Sequence, residues 1–201
     1  MLETVEKISR RFHDWKSELR TLPGTEPEFQ KWLFIHIAGV LFGGKAGELL
    51  TIPRGQCGLD YERQLKVISN LSARWNYSYL PLCRSEESAK VIFYKRKKVR
   101  EALTAVPPCI FEGKLGYNAE MSPEEFLTEI KRRWNERGMI PHEIGIALGY
   151  PAEDVLGYMG LLPLECRGMC GWRIYGNPAL SLERCRMFTQ ARQGAMAFLA
   201  A

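Results

Sequence analysis

The chain has 201 residues, of which 46% are hydrophobic, 11% aromatic and 25% charged. That composition excludes disordered, collagen-like and low-complexity classes, and the length suits one domain better than two. The net charge of +5 is uneven: residues 1–100 carry 18 basic and 11 acidic side chains, residues 101–201 carry 10 and 12, and the excess sits in Lys95-Arg96-Lys97-Lys98 and Arg100.

Val5, Ile8, Phe12, Trp15 and Leu19 recur at steps of three and four, which predicts an amphipathic helix over 3–20 that ends at Pro23-Gly24. Thr25 with Glu28 has the spacing of a capping box and predicts a second helix over 27–41, closed by Gly43-Gly44. A strand at 49–52, a helix over 59–75 and an edge strand at 77–82, marked by Pro81, follow. Val91-Ile92-Phe93-Tyr94 reads as a buried strand, and the basic run after it opens a helix reaching Leu103. Ser122-Pro123-Glu124-Glu125 starts a helix with a capping box and proline in the first turn. Two short helices, 141–148 and 151–159, meet at Gly149-Tyr150; residues 172–175 read as a strand and Leu182, Cys185, Phe188 and Ala191 mark a last helix. The fold expected is α+β (or α/β): a small mixed sheet of about four strands covered by helices, with a C-terminal helical hairpin followed by strand and helix. We expect a single domain over 1–201, an N-terminal helix in 1–24 preceding a larger unit over 25–201.

Three motifs carry chemistry. Gly39 to Lys45 fits a phosphate loop, but Ala46 stands where a magnesium-binding hydroxyl belongs, and Pro53 cuts short the helix that should follow. Lys45 is left as a cation for an anionic group. The segment 143–155 has the spacing of a helix-turn-helix, yet its second helix opens with Glu153 and Asp154 and holds no Arg or Lys to read bases, so nucleic acid is disfavoured. The two acids are expected to offset the helix dipole. His36 lies in an apolar helix, where a bond to a backbone carbonyl is its plain reading; His142, beside Glu143, begins a helix, where the dipole favours neutral imidazole. The six cysteines read as free thiols. Cys166 and Cys170 are spaced like two zinc ligands without a second tight pair, so no metal is expected. The first 15 residues lack the unbroken apolar core of a secretory signal, and the longest apolar stretch, 32–44, is too short to span a membrane, so the expected location is cytoplasmic.

His36-x-Ala38-x-x-Leu41-x-Gly43-x-Lys45, Val91-Ile92-Phe93-Tyr94, Pro141-His142-Glu143-Ile144-Gly145 through Gly149-Tyr150-Pro151 to Val155, and Cys170-Gly171-Trp172-Arg173-Ile174-Tyr175-Gly176 together resemble the domain-of-unknown-function family 3793 of anaerobic Gram-positive bacteria, over roughly residues 30–195. The family pattern places a cysteine and then Ala-Pro after the first histidine, where this chain has Ile37, Ala38 and Gly39. The resemblance implies an intracellular bacterial protein in a redox or iron-related context, with no assigned reaction.

Two functions from different classes follow. In the first, His36, Lys45, His142, Glu143, Tyr150 and Cys170 share a site for a small anionic ligand or redox cofactor: Lys45 meets the anionic group, His142 and Glu143 hydrogen-bond or move a proton, and Cys170 supplies a thiol. In the second, a non-catalytic interaction module, those residues are structural and the run Lys95–Arg100 faces an acidic protein partner. Helix-turn-helix DNA binding ranks last.

Overall fold

The structure is a computed structural model and describes residues 10–201; Val5 and Ile8 of the first predicted helix lie outside them. The fold is α+β. Three antiparallel strands, β1 (Gly47–Pro53), β2 (Ser78–Arg84) and β3 (Ser88–Tyr94), form a sheet in the order β1-β3-β2. The expected mixed sheet of about four strands is corrected: it is antiparallel throughout, and β4 (Gly168–Met169) and β5 (Arg173–Ile174) form a separate ribbon. Gly47 faces Tyr94 and Leu50 faces Val91 across β1 and β3. The proline-bearing β2 is an edge strand with a bulge between Pro81 and Cys83, where its missing N–H breaks no ladder.

Strand β3 is central, and its alternation divides the core. Val91 and Phe93 face one layer, built from α1 (Arg10–Glu18), α2 (Glu26–His36), α4 (Tyr61–Trp75) and the end of α10 (Pro178–Ala200). Phe12, Trp15, Phe34 and Trp75 interlock there at centroid separations of 4.7 to 6.1 Å. Ile92 and Tyr94 face the other layer, formed by α5 (Arg96–Thr104), α6 (Pro108–Phe111), α7 (Pro123–Arg137), α8 (Ile144–Ala147) and α9 (Ala152–Tyr158). Burial on both faces explains why β3 is continuously apolar from Val91 to Tyr94 rather than alternating.

Local chemistry sets the boundaries. Ser122 accepts from the Glu125 backbone while Glu125 accepts from the Ser122 backbone, the reciprocal cap read from the sequence. Thr25 makes no such cap: its φ of −100° and ψ of 2° leave the extended conformation that aims a hydroxyl at the first turn. The predicted helix over 27–41 is interrupted at Ile37, and α3 (Ala38–Phe42) is a separate turn, ended by Gly43 and Gly44. The phosphate-loop-like segment is therefore helical where a nucleotide would need open loop, and a strand follows it. No described helix is long and apolar enough to cross a membrane.

Candidate functional site

A cleft of about 360 Å3 opens between the α2–α3 junction, the start of β1, the turn of the β4–β5 ribbon and the middle of α10. It gathers His36, Lys45, Tyr150 and Cys170, four residues up to 134 positions apart in sequence, and adds Glu48, Trp172, Cys185, Thr189 and Arg192. Volumes of this order suit small molecules.

Lys45 is the innermost cation, 8% exposed. Its Nζ donates to Glu48 Oε2 at 2.9 Å and stands 5.2 Å from the Phe188 ring centre and 5.9 Å from that of Tyr150. An ammonium has three donors, and one is used among the described residues. Arg192, exposed at the rim, has no ion-pair partner among them. Tyr150 is held flat against Trp172, centroids 4.4 Å apart and planes 18° apart. Burial, then the charge of Glu48, push its phenol up to about 12, so it stays a donor. His36 stacks on Trp32 and its Nδ1 lies 2.7 Å from the Trp32 carbonyl. The expected carbonyl bond is there, and it puts the proton of neutral imidazole on Nδ1 and the lone pair on Nε2. Cys170 lies beside Cys185; burial and the neighbouring thiol push its own thiol up to about 11.

The other two predicted residues are elsewhere. His142 is exposed and packs edge-on against Tyr158, at 4.9 Å, on a separate groove of about 380 Å3 across the Tyr150–Trp172 stack. Glu143 faces away from both cavities: it is buried, and its Oε1 accepts from Tyr117 Oη and Arg133 Nη1, each at 3.1 Å. Adjacent positions diverge because the turn of chain entering α8 sends one side chain outward and the next into the α7–α8 interface. Cys166, exposed, does not join Cys170 in a ligand set, and among the described residues no three His, Cys, Asp or Glu side chains gather as for a metal.

Asp154 has a role the sequence reading missed. It is not a solvated dipole partner but 1% exposed. It accepts four hydrogen bonds: from Ser181 Oγ (2.6 Å), the Gly176 and Tyr175 backbones (2.7 and 2.8 Å) and Trp172 Nε1 (2.8 Å). Burial raises its carboxyl, but these four donors outweigh that and hold it below the usual range. One carboxylate thus fastens the ribbon and α10 to α9 and fixes Trp172 in the cleft wall. Gly157 helps: a Cβ there would stand 2.5 Å from Tyr175 Cβ, so only glycine lets the ribbon approach α9.

A family model described as "Protein of unknown function (DUF3793)" matches residues 33–201, starting and ending slightly later than the resemblance in the sequence suggested. No curated protein and no solved structure matches the chain.

Proposed function

Since the chain belongs to the DUF3793 family, whose description assigns no activity, its function has to be read from its own residues, and we propose that it binds a small anionic molecule in the cleft between Lys45 and Arg192. The observation that carries this reading is the Lys45 ammonium: nearly buried, held by a single carboxylate, with two donors left on a cavity wall. Burying a cation is costly unless its hydrogen bonds are filled, and a carboxylate or phosphate fills them. The Tyr150 hydroxyl, which makes no hydrogen bond among the described residues, and the Arg192 guanidinium add donors, and His36 Nε2 adds an acceptor. The site is intracellular in this reading, because six free cysteines suit a reducing compartment. The two core layers share one sheet, which supports treating the described chain as one domain.

Isothermal titration of the protein with inorganic pyrophosphate and with citrate tests this. Binding of one equivalent at low salt is expected, weakened at least about tenfold by Lys45→Met, less by Arg192→Met, and reduced as salt rises. No heat with either probe at millimolar concentration, or heat unchanged in Lys45→Met, overturns it.

A second reading, a protein-contact surface, is favoured at a different place. Met169 (78% exposed) and Tyr158 (45%) line the groove of His142, and Met139 (64%) stands beside it in sequence. Self-association in sedimentation runs, abolished by Met169→Glu, would support it. In the basic run, three of the five cations are engaged within the chain. Lys95 donates to the Trp75 and Asn76 carbonyls, Arg96 pairs with Glu124 at 2.6 Å, and Lys98 with Glu101 at 2.8 Å.

A further inference from the structure

We propose that Cys170 and Cys185 are a dithiol pair that closes reversibly to an intramolecular disulfide across the cleft, by exchange with a low-molecular-weight disulfide. Three points bring the two side chains to the same turn of α10. Both residues line the same cleft. Cys170 Sγ lies 3.5 Å from the Ser181 carbonyl oxygen, and Ser181 is one helical turn before Cys185 in α10, so that carbonyl also receives the Cys185 backbone N–H. Side chains on a helix lean towards its N-terminus, which carries Cys185 Sγ back over the turn where Cys170 Sγ sits. Each is half-buried on an open cleft, within reach of a small reagent, and neither is in a disulfide already.

The exchange balances as two displacements. The Cys185 thiolate attacks one sulfur of the small disulfide, forms a mixed disulfide and expels one thiolate. Cys170 then gives up its proton and attacks Cys185 Sγ, and the second small thiolate leaves. Two protein thiols are oxidised by two electrons, and one small disulfide is reduced to two thiols. Cys170 is placed for the second step, because its Sγ lies against the helical turn that leads to Cys185. The product ties the tip of the ribbon, with Trp172 two residues on, to α10 at the level of Phe188. The pair stands independently of the anion reading, since its formation needs no ligand.

Incubation of the full chain with oxidised glutathione, followed by non-reducing tryptic mass spectrometry, tests this. The expected product is a peptide pair joined through Cys170 and Cys185, with the loss of two hydrogens. Cys170→Ser should instead accumulate a glutathione adduct on Cys185 that wild type does not retain, and back-titration with reduced glutathione should reopen the wild-type bond. Thermal melts establish that the serine variant is folded. The pair is overturned if Cys185 pairs with another cysteine, if glutathione accumulates on exposed Cys109 and Cys166 while Cys170 and Cys185 stay reduced, or if wild type retains the Cys185 adduct as the variant does.

Discussion

The Asp154 carboxylate accepts the indole N–H of Trp172 at 2.8 Å, and the same ring lies flat on Tyr150. A buried acid in α9 therefore positions an aromatic wall 18 residues further on, and the cleft depends on a group that does not line it.

Asp154→Asn removes the charge from four hydrogen bonds and turns one acceptor into a donor aimed at other donors. A loss of about 3 kcal/mol is expected, since bonds to a charged group carry roughly 1.5–3 kcal/mol each and relaxation recovers part. Gly149→Val should cost a similar amount, about 3 kcal/mol, from a left-handed backbone combined with overpacking. The φ there is +83°, and an added Cβ would stand 2.9 Å from the Ala46 amide nitrogen. Urea titrations of both variants check this; a loss of only a few tenths for Asp154→Asn would mean the carboxylate is solvated.

The same acid sets a pH dependence. Its folded pKa is depressed, so its contribution is full above the unfolded value, about 3.9, and is lost as pH falls through the lower folded value. The stability gap between wild type and Asp154→Asn should be constant from pH 7 to 5 and shrink below pH 4. A gap that widens on acidification would give the opposite sign to the shift.

The Asp154 network also shows where sequence reading runs out. Elements with strong periodicity or self-contained chemistry were legible: the buried β3, the Ser122–Glu125 cap, the proline-marked edge strand and the left-handed Gly149 all depend on neighbours within a few residues. An acid in the first turn of a helix looks the same whether water or a distant loop supplies its donors, and Asp154 takes all four from residues 172–181. A signal existed in its apolar neighbours Val155 and Leu156 and in the Cys-Gly-Trp turn, but nothing local joined them. Four of six candidate site residues converge because polar groups in turns around a small sheet tend to meet at its rim. Cys185 and Arg192 were hidden because they lie within a long helix whose cleft-facing side carries ordinary helix residues. Glu143 was misplaced because adjacency to His142 says nothing about direction.

Glu143→Gln separates those two residues. The buried pair with Arg133 is lost, although Arg133 keeps Glu129 at 2.8 Å. Stability should fall by about 2 kcal/mol, less than for a cation left without any partner. Pyrophosphate binding should be unchanged, because the side chain lines neither cavity. A variant that keeps its stability and loses binding would return Glu143 to the site.

Lys95 gives a pH dependence of the same sign as Asp154, in an alkaline window. Its ammonium reaches the last carbonyls of α4, on Trp75 and Asn76, which have no partner within their own helix. Burial, then the nearby Arg11, lower its pKa to about 8 from the ordinary 10.5. Below pH 8 both folded and unfolded states carry the proton, and the folded state bears the cost of a charge drawn partly out of water. Between pH 8 and 10.5 the unfolded state holds the proton more tightly, so stability gains from this group as pH rises through that window. Solvent screening at this half-buried position brings the gain down to on the order of 1 kcal/mol. Lys95→Met should flatten the rise while changing stability little at pH 7, where relief of the buried charge offsets the lost bonds to the helix end. Urea midpoints at pH 7, 8, 9 and 10 for both proteins check it: parallel curves would place the Lys95 titration outside this range.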